Sequence, residues 1–268
     1  MGYTLITGAS GGIGGAVASK LAARKHNLIL VARNTEKLIE ISNQLRSQFG
    51  VVVEFITADL TRPDASREIY NQTQSNKWEI DILINNAGIG SGGEFASLSM
   101  QSELDLLQLN NASMVSMTHL FMQPMRERKI GTIINVSSMT AFMPVPYMAT
   151  YAASKVFVRS FTEALTEECK PYNIHVMLFA PGLTKTNFNE SAGINNEKAA
   201  GLSSDYETAA SQTPEEVADE LVQALIAKKH FHVSGSNNRF GALMLAMFPN
   251  AVIALYMARS YRKKLKQI

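Results

Sequence analysis

Short unbroken runs of Val, Ile and Leu recur along this chain, and each is followed by a stretch with helical periodicity. Tyr3–Thr7, Leu28–Ala32, Val51–Thr57, Asp81–Ile84, Thr132–Val136 and Ile174–Phe179 read as strands. Gly12–Lys25, Thr35–Phe49, Asp64–Ser75, Ser99–Glu127 and Thr150–Lys170 read as helices between them. A strand that is apolar at every position, and not at every second one, has both faces buried. Strands of that kind alternating with helices predict an α/β fold, a doubly wound parallel sheet with helices on both faces. The length of 268 residues suits one such domain, spanning 1–268, and 46% hydrophobic residues are enough for its core.

Composition narrows the partners. A net charge of +2 argues against nucleic acid. The single cysteine, Cys169, cannot form an internal disulfide, and Met1-Gly2-Tyr3 runs straight into a strand without room for a signal peptide; both point to a cytoplasmic chain. His230 and His232 share one strand face without a third ligand, so no metal site is expected. His119, in an otherwise apolar helix, reads as a packing residue. Phe240 to Ala258 is 19 residues without a charge. Pro249 and Asn250 break it into two short helices, read as packed over a substrate cleft or subunit interface. The basic run Arg259, Arg262, Lys263, Lys264 and Lys266 keeps open a membrane-surface contact by this segment, about 239–268. Pro181 to Gln212 has weak periodicity and reads as a loop over the site, with about 183–212 facing substrate. Thr213-Pro214-Glu215-Glu216 then starts another helix, Thr213 capping it.

The first strand ends in Thr7-Gly8-Ala9-Ser10-Gly11-Gly12-Ile13-Gly14. Glycines between a strand and a helix let backbone approach a pyrophosphate and aim the helix N-terminus at it, which makes the expected domain a single-domain Rossmann fold. After the second strand, where a carboxylate would hold an NAD ribose, stand Arg33 and Asn34. A guanidinium suits a 2′-phosphate, so NADP (NADPH) is the favoured cofactor over NAD. Tyr151 and Lys155 lie four apart on one helical face, so phenol and ammonium point to one site. A neighbouring cation is expected to lower the phenol's pKa from its usual value of about 10. Ser138 follows the fifth strand, at the carboxyl edge where parallel sheets present functional groups.

Thr-Gly-x-x-x-Gly-x-Gly at 7–14, Asn85-Asn86-Ala87-Gly88 and Tyr151-x-x-x-Lys155 together resemble the short-chain dehydrogenase/reductase family over residues 3 to 190, similar to its ketone and 3-oxoacyl reductases. The resemblance implies that Gly8, Ser10, Gly11, Gly12, Ile13 and Gly14 line the cofactor phosphates. It also implies that Asp59 and Leu60 flank the adenine, with Asn86, Ala87 and Gly88 along the ribose. Gly11 departs from relatives with a basic residue there, leaving Arg33 as the main phosphate contact. Tyr151 would be the general acid or base, and Lys155 would tune it and bind the nicotinamide ribose. Ser138 (or its neighbour Ser137) would orient the carbonyl, and Asn110 (or Asn111) would hold a relay water. Pro181, Gly182, Thr184 and Thr186 would hold the carboxamide. The expected activity is NADP(H)-dependent reduction of a carbonyl in an apolar small molecule to an alcohol, or the reverse, by a homodimer or homotetramer. The alternatives are an NAD-dependent hydroxysteroid-like or polyol dehydrogenase and a non-catalytic NADP-binding regulator.

Overall fold

The computed structural model describes residues 2–186, 188 and 211–265. Seven strands form one sheet: β1 (Tyr3–Thr7), β2 (Asn27–Ala32), β3 (Val53–Thr57), β4 (Ile80–Asn85), β5 (Gly131–Val136), β6 (Ile174–Ala180) and β7 (Phe231–Val233). Their order is β3-β2-β1-β4-β5-β6-β7, and every neighbouring pair is parallel. The chain therefore winds outward in one direction to β3, then crosses back past β1 to β4. That reversal opens a crevice above the carboxyl ends of β1 and β4, where an open α/β sheet takes its ligand.

Consecutive strand residues point to opposite faces, which is why apolar residues run consecutively in the strands and do not simply alternate with polar ones. Ile6, Leu28, Leu30, Ile134 and Phe179 go to one face and pack under α1 (Gly12–Ala23), α2 (Thr35–Phe49) and α7 (Pro214–Ile226). Leu5, Ile29, Val31, Leu83 and Ile133 go to the other, with Ile69 of α3 (Ala65–Ser75), Phe121 and Met125 of α5 (Ser113–Arg128) and Cys169 of α6 (Ala149–Cys169). Between the faces, Asn85 donates to Asn135 Oδ1 at 2.8 Å and to Thr118 Oγ1 at 3.0 Å, and Asn135 donates to Thr162 Oγ1 at 3.0 Å. This buried polar ladder ties β4 and β5 to both long helices.

Most expected elements appear within a residue or two of their predicted ends; the strand expected around His230 and His232 is β7, only three residues long, and begins after His230. The long helix expected over Ser99–Glu127 is interrupted: α4 (Met100–Leu107) and α5 are separated by a π-turn at Gln108–Ala112. The wider turn brings Leu109, Asn110 and Asn111 all inward. His119 is exposed, not a packing residue, and its ring lies 3.3 Å from the Gln123 amide. Thr213 caps α7 in a reciprocal box with Glu216, with Pro214 at the first turn. The apolar C-terminal stretch is broken as expected, into α8 (Ser236–Leu245) and α9 (Asn250–Leu265). Among the described residues no helix is long and apolar enough to cross a membrane. Most of the expected substrate loop, residue 187 and 189–210, lies outside the described residues.

Candidate active site

Gly8 leaves β1 at φ 68°, and a Cβ there would sit 2.9 Å from the Ala87 Cα. Gly14 is closed in by the Gly8 carbonyl and the Asn86 side chain, so no side chain fits. Where α2, α4 and α7 are each capped by a side chain, from Asn34, Ser99 and Thr213, α1 begins at Gly11 with no side-chain cap and no acid in its first turn. Its first amide N–H groups face the crevice with their partial positive charge, which suits a phosphate. The residues present thus fit a dinucleotide's pyrophosphate.

A cavity of about 480 Å³ runs from this turn to the catalytic helix, touching Gly8, Ser10, Gly11, Gly12, Ile13, Asn86, Ala87, Gly88, Ser138, Tyr151, Lys155, Pro181, Gly182, Thr184 and Thr186. A second of about 250 Å³ shares Gly8, Ser10, Ala87 and Gly88 with it and continues to Arg33, Asn34, Asp59 and Leu60. All expected binding residues except Gly14 and Asn110 therefore line one continuous groove. Those two stand just behind it. Gly14 lies under Gly8, and the Asn110 carboxamide lies 3.1 Å from where a Gly88 Cβ would be.

Several side chains are already committed. Asn86 donates to the Thr7 carbonyl at 2.9 Å, while Thr7 Oγ1 accepts the Asn86 and Ala87 amides at 3.0 Å. Asn86 therefore clamps β1 to β4. Asn34 Oδ1 accepts the Lys37 amide at 2.8 Å and is spent as the cap of α2. Burial would raise the Asp59 pKa, but hydrogen bonds from Thr61 outweigh it, helped by the Arg33 and Arg62 charges, and hold it below the ordinary range. Thr186 Oγ1 accepts the Phe188 amide at 3.3 Å.

At the catalytic end Ser137 and Ser138 separate cleanly. Ser137 is buried and donates to the Lys155 carbonyl at 2.9 Å, whereas the Ser138 hydroxyl faces the Tyr151 phenol. Asn110 and Asn111 divide as well. Asn110 accepts the Ile89 amide at 3.0 Å and donates to the Ile89 carbonyl at 2.9 Å and Ser154 Oγ at 3.1 Å; Asn111 donates to the Ser154 carbonyl at 2.9 Å. Both Asn110 amide hydrogens thus hold protein partners, fixing the 89–91 segment beside Lys155.

Lys155 Nζ lies 5.8 Å from the Tyr151 ring centre and donates to the Val136 carbonyl at 3.2 Å. Burial brings its pKa down to about 8. The Tyr151 phenol, expected to be acidified, is raised instead. Burial dominates, and the neighbouring hydroxyls of Ser138 and Thr140 offset it only in part. The ammonium beside the ring does not overcome the loss of solvent around the phenolate.

Residues at the groove also escaped the sequence reading, Lys37 and Phe188 among them. Lys37, in the first turn of α2, reaches the same groove as Gly11. Thr140 joins Ser138 at the phenol, and Phe188 sets its ring 5.4 Å from Tyr151. Lys37 was within reach of sequence reasoning, as a cation four residues past Arg33 on an emerging helix.

Known proteins resemble this chain in sequence and in fold. The family model described as short chain dehydrogenase matches residues 3–197. Mouse (Mus musculus) 17-beta-hydroxysteroid dehydrogenase type 3 is 36% identical over 182 residues, 67% of this chain and 59% of that protein. Mouse very-long-chain 3-oxoacyl-CoA reductase is 33% identical over 190 residues, 69% of this chain and 60% of that protein. The chain thus spans about three fifths of the length of these two relatives. A solved short-chain dehydrogenase from Sphingobium yanoikuyae in complex with NADPH superposes with a TM-score of 0.81 at 29% identity, over 92% of this chain and 94% of that one. A 7beta-hydroxysteroid dehydrogenase structure gives 0.82 at 26% identity, over 96% of both chains.

Proposed function

The chain belongs to the short-chain dehydrogenase family, and on that premise we propose that it is an NADPH-dependent reductase of ketones or 3-oxoacyl compounds with an apolar body. The observation that carries this reading is the groove itself. It joins an uncapped helix start, a cationic far end and a buried Tyr151–Lys155 pair flanked by Ser138.

NADPH supplies the hydride when bound; the remaining work falls to the chain. Ser138 donates a hydrogen bond to the carbonyl oxygen and aims its carbon at the cofactor. Tyr151 passes its proton to that oxygen as negative charge develops there. A phenol whose pKa lies above the ordinary value is protonated at neutral pH, the form in which it donates in reduction. Lys155 keeps positive charge beside the phenol so that the tyrosinate left after transfer is stabilised. Asn110 acts through position, bracing the Ile89 backbone against α6. At the far end Arg33 and Lys37 bind the 2′-phosphate from two elements, Lys37 supplying the cation that Gly11 does not. Apolar side chains around Tyr151, Val145, Met148 and Leu106 among them, favour an apolar substrate. The relatives' names direct the choice of 3-oxoacyl thioesters and keto-steroids as first substrates. The exposed apolar side chains Met100, Leu104 and Leu107 on α4 offer a face for a homodimer or homotetramer.

Following NADPH absorbance over a panel of such ketones tests the reading. Tyr151→Phe should remove nearly all turnover, a loss of about 10²-fold or more, while NADPH still binds. Full activity in that variant refutes Tyr151 as the acid, and no turnover of any ketone by the unaltered chain refutes the function.

A further inference from the structure

The last acid in the sequence is Glu220. Residues 221–268 carry eight Lys and Arg and no Asp or Glu, while residues 1–220 hold 17 Lys and Arg against 23 Asp and Glu. The modest overall charge hides an uneven distribution along the sequence, whose C-terminal stretch is cationic. That end is also where apolar side chains stand in water. On α8 and just past it, Phe240, Leu243, Met244 and Met247 follow an i, i+3, i+4, i+7 spacing, and all four are exposed, Leu243 at 71% and Met247 at 74%. On α9, Val252, Leu255 and Tyr256 repeat the spacing and are exposed, Tyr256 at 76%, and the next position of that stripe is exposed Arg259. Soluble surfaces rarely leave so many large apolar groups contiguous.

The opposite sides of both helices are anchored. Ala242 packs with Ala180 and Val233, while Met257 and Tyr261 pack against the cluster that contains Tyr151. Tyr261 meets Tyr147 edge-on at 6.3 Å between ring centres. The stripes therefore face outward on a pair of helices held from beneath.

We propose that the outer face of α8 and α9 is a docking surface for an anionic lipid membrane, on which the protein lies without crossing. Apolar side chains on one face with cations continuing from its edge match a helix pair seated at the headgroup boundary. The charge distribution selects this occupant over a second copy. A two-fold pairing would bring two sets of the exposed Arg259 and Arg262 onto one interface, whereas acidic headgroups neutralise them. Docking here puts lipid on the far side of the helix that closes over Tyr151. An apolar ketone dissolved in the bilayer then has a short path to the groove. The inference does not rest on the chemistry proposed above, because its readout is binding.

The test is flotation of the full chain with vesicles of phosphatidylcholine alone and of phosphatidylcholine mixed with phosphatidylglycerol, at low and high salt. The chain should float only with the anionic vesicles and less so as salt rises. The double variant Leu243→Glu/Leu255→Glu changes two exposed positions and should weaken partition roughly tenfold or more. Arg259→Gln and Arg262→Gln should each weaken it by about fivefold. Retained NADPH binding and an unchanged melting temperature show that each variant is folded. Absence of flotation with anionic vesicles overturns the proposal, as does flotation that the double variant leaves unchanged. A self-associated species that the double variant dissolves, in a chain that ignores vesicles, assigns the face to a second copy instead.

Discussion

Lys155 is a cation in a dry place, and its hydrogen bond goes to a neutral carbonyl, that of Val136. With its pKa lowered to about 8 by burial, the folded chain releases this proton sooner than the unfolded chain does. The cost of the buried charge is therefore fully present below pH ~8 and disappears as pH rises toward the unfolded value of about 10.4. Compared with Lys155→Met, the unaltered chain should be less stable near pH 7 by roughly 3 kcal/mol, and the difference should shrink steadily in denaturation curves taken up to pH 10. A constant difference would mean that the ammonium is compensated by something else in the groove. The same residue scale governs coenzyme choice. If Arg33 and Lys37 share the 2′-phosphate, Arg33→Ala and Lys37→Ala should each raise the KM for NADPH roughly tenfold or more while leaving that for NADH near its original value. Equal effects on both coenzymes would place these cations elsewhere in the binding event.

Among the elements, α7 shows how local chemistry fixes a start. Thr213 accepts the Glu216 amide at 3.2 Å, and Glu216 reaches back to the Thr213 amide at 2.8 Å. Thr213→Ala should cost about 1 kcal/mol, seen as a lower denaturant midpoint with an unchanged slope. Such starts are written locally, and so are strands that must be apolar on both faces; these were legible from sequence. The interruption between α4 and α5 was not, because a π-turn keeps helical periodicity and only adds a residue. It is felt through the tertiary bonds of Asn110 to Ile89 and Ser154, which no local pattern encodes. The glycine turn, Arg33 and Ser138 could be read because each follows a strand end, and Tyr151 and Lys155 because they lie four apart on one helix. Thr140 and Phe188 could not, since they arrive from irregular segments whose path depends on packing. The Tyr151 pKa was misread for a related reason: spacing reveals the neighbouring charge but not the depth of burial, and burial is the larger effect here.

On the scale of the whole molecule, the sheet order sets β4 at the centre, flanked by β1 and β5, and puts every functional strand end on one edge, while α9 reaches the cluster around Tyr151 through Met257 and Tyr261. With Arg259 and Arg262 exposed on α9 beside its apolar stripe, this face of the molecule carries positive charge. In the field of a negatively charged plane such a particle feels a torque before it feels a contact, and rotates as it drifts inward. Collisions of this molecule are therefore not evenly distributed over its surface, and raising ionic strength should randomise them.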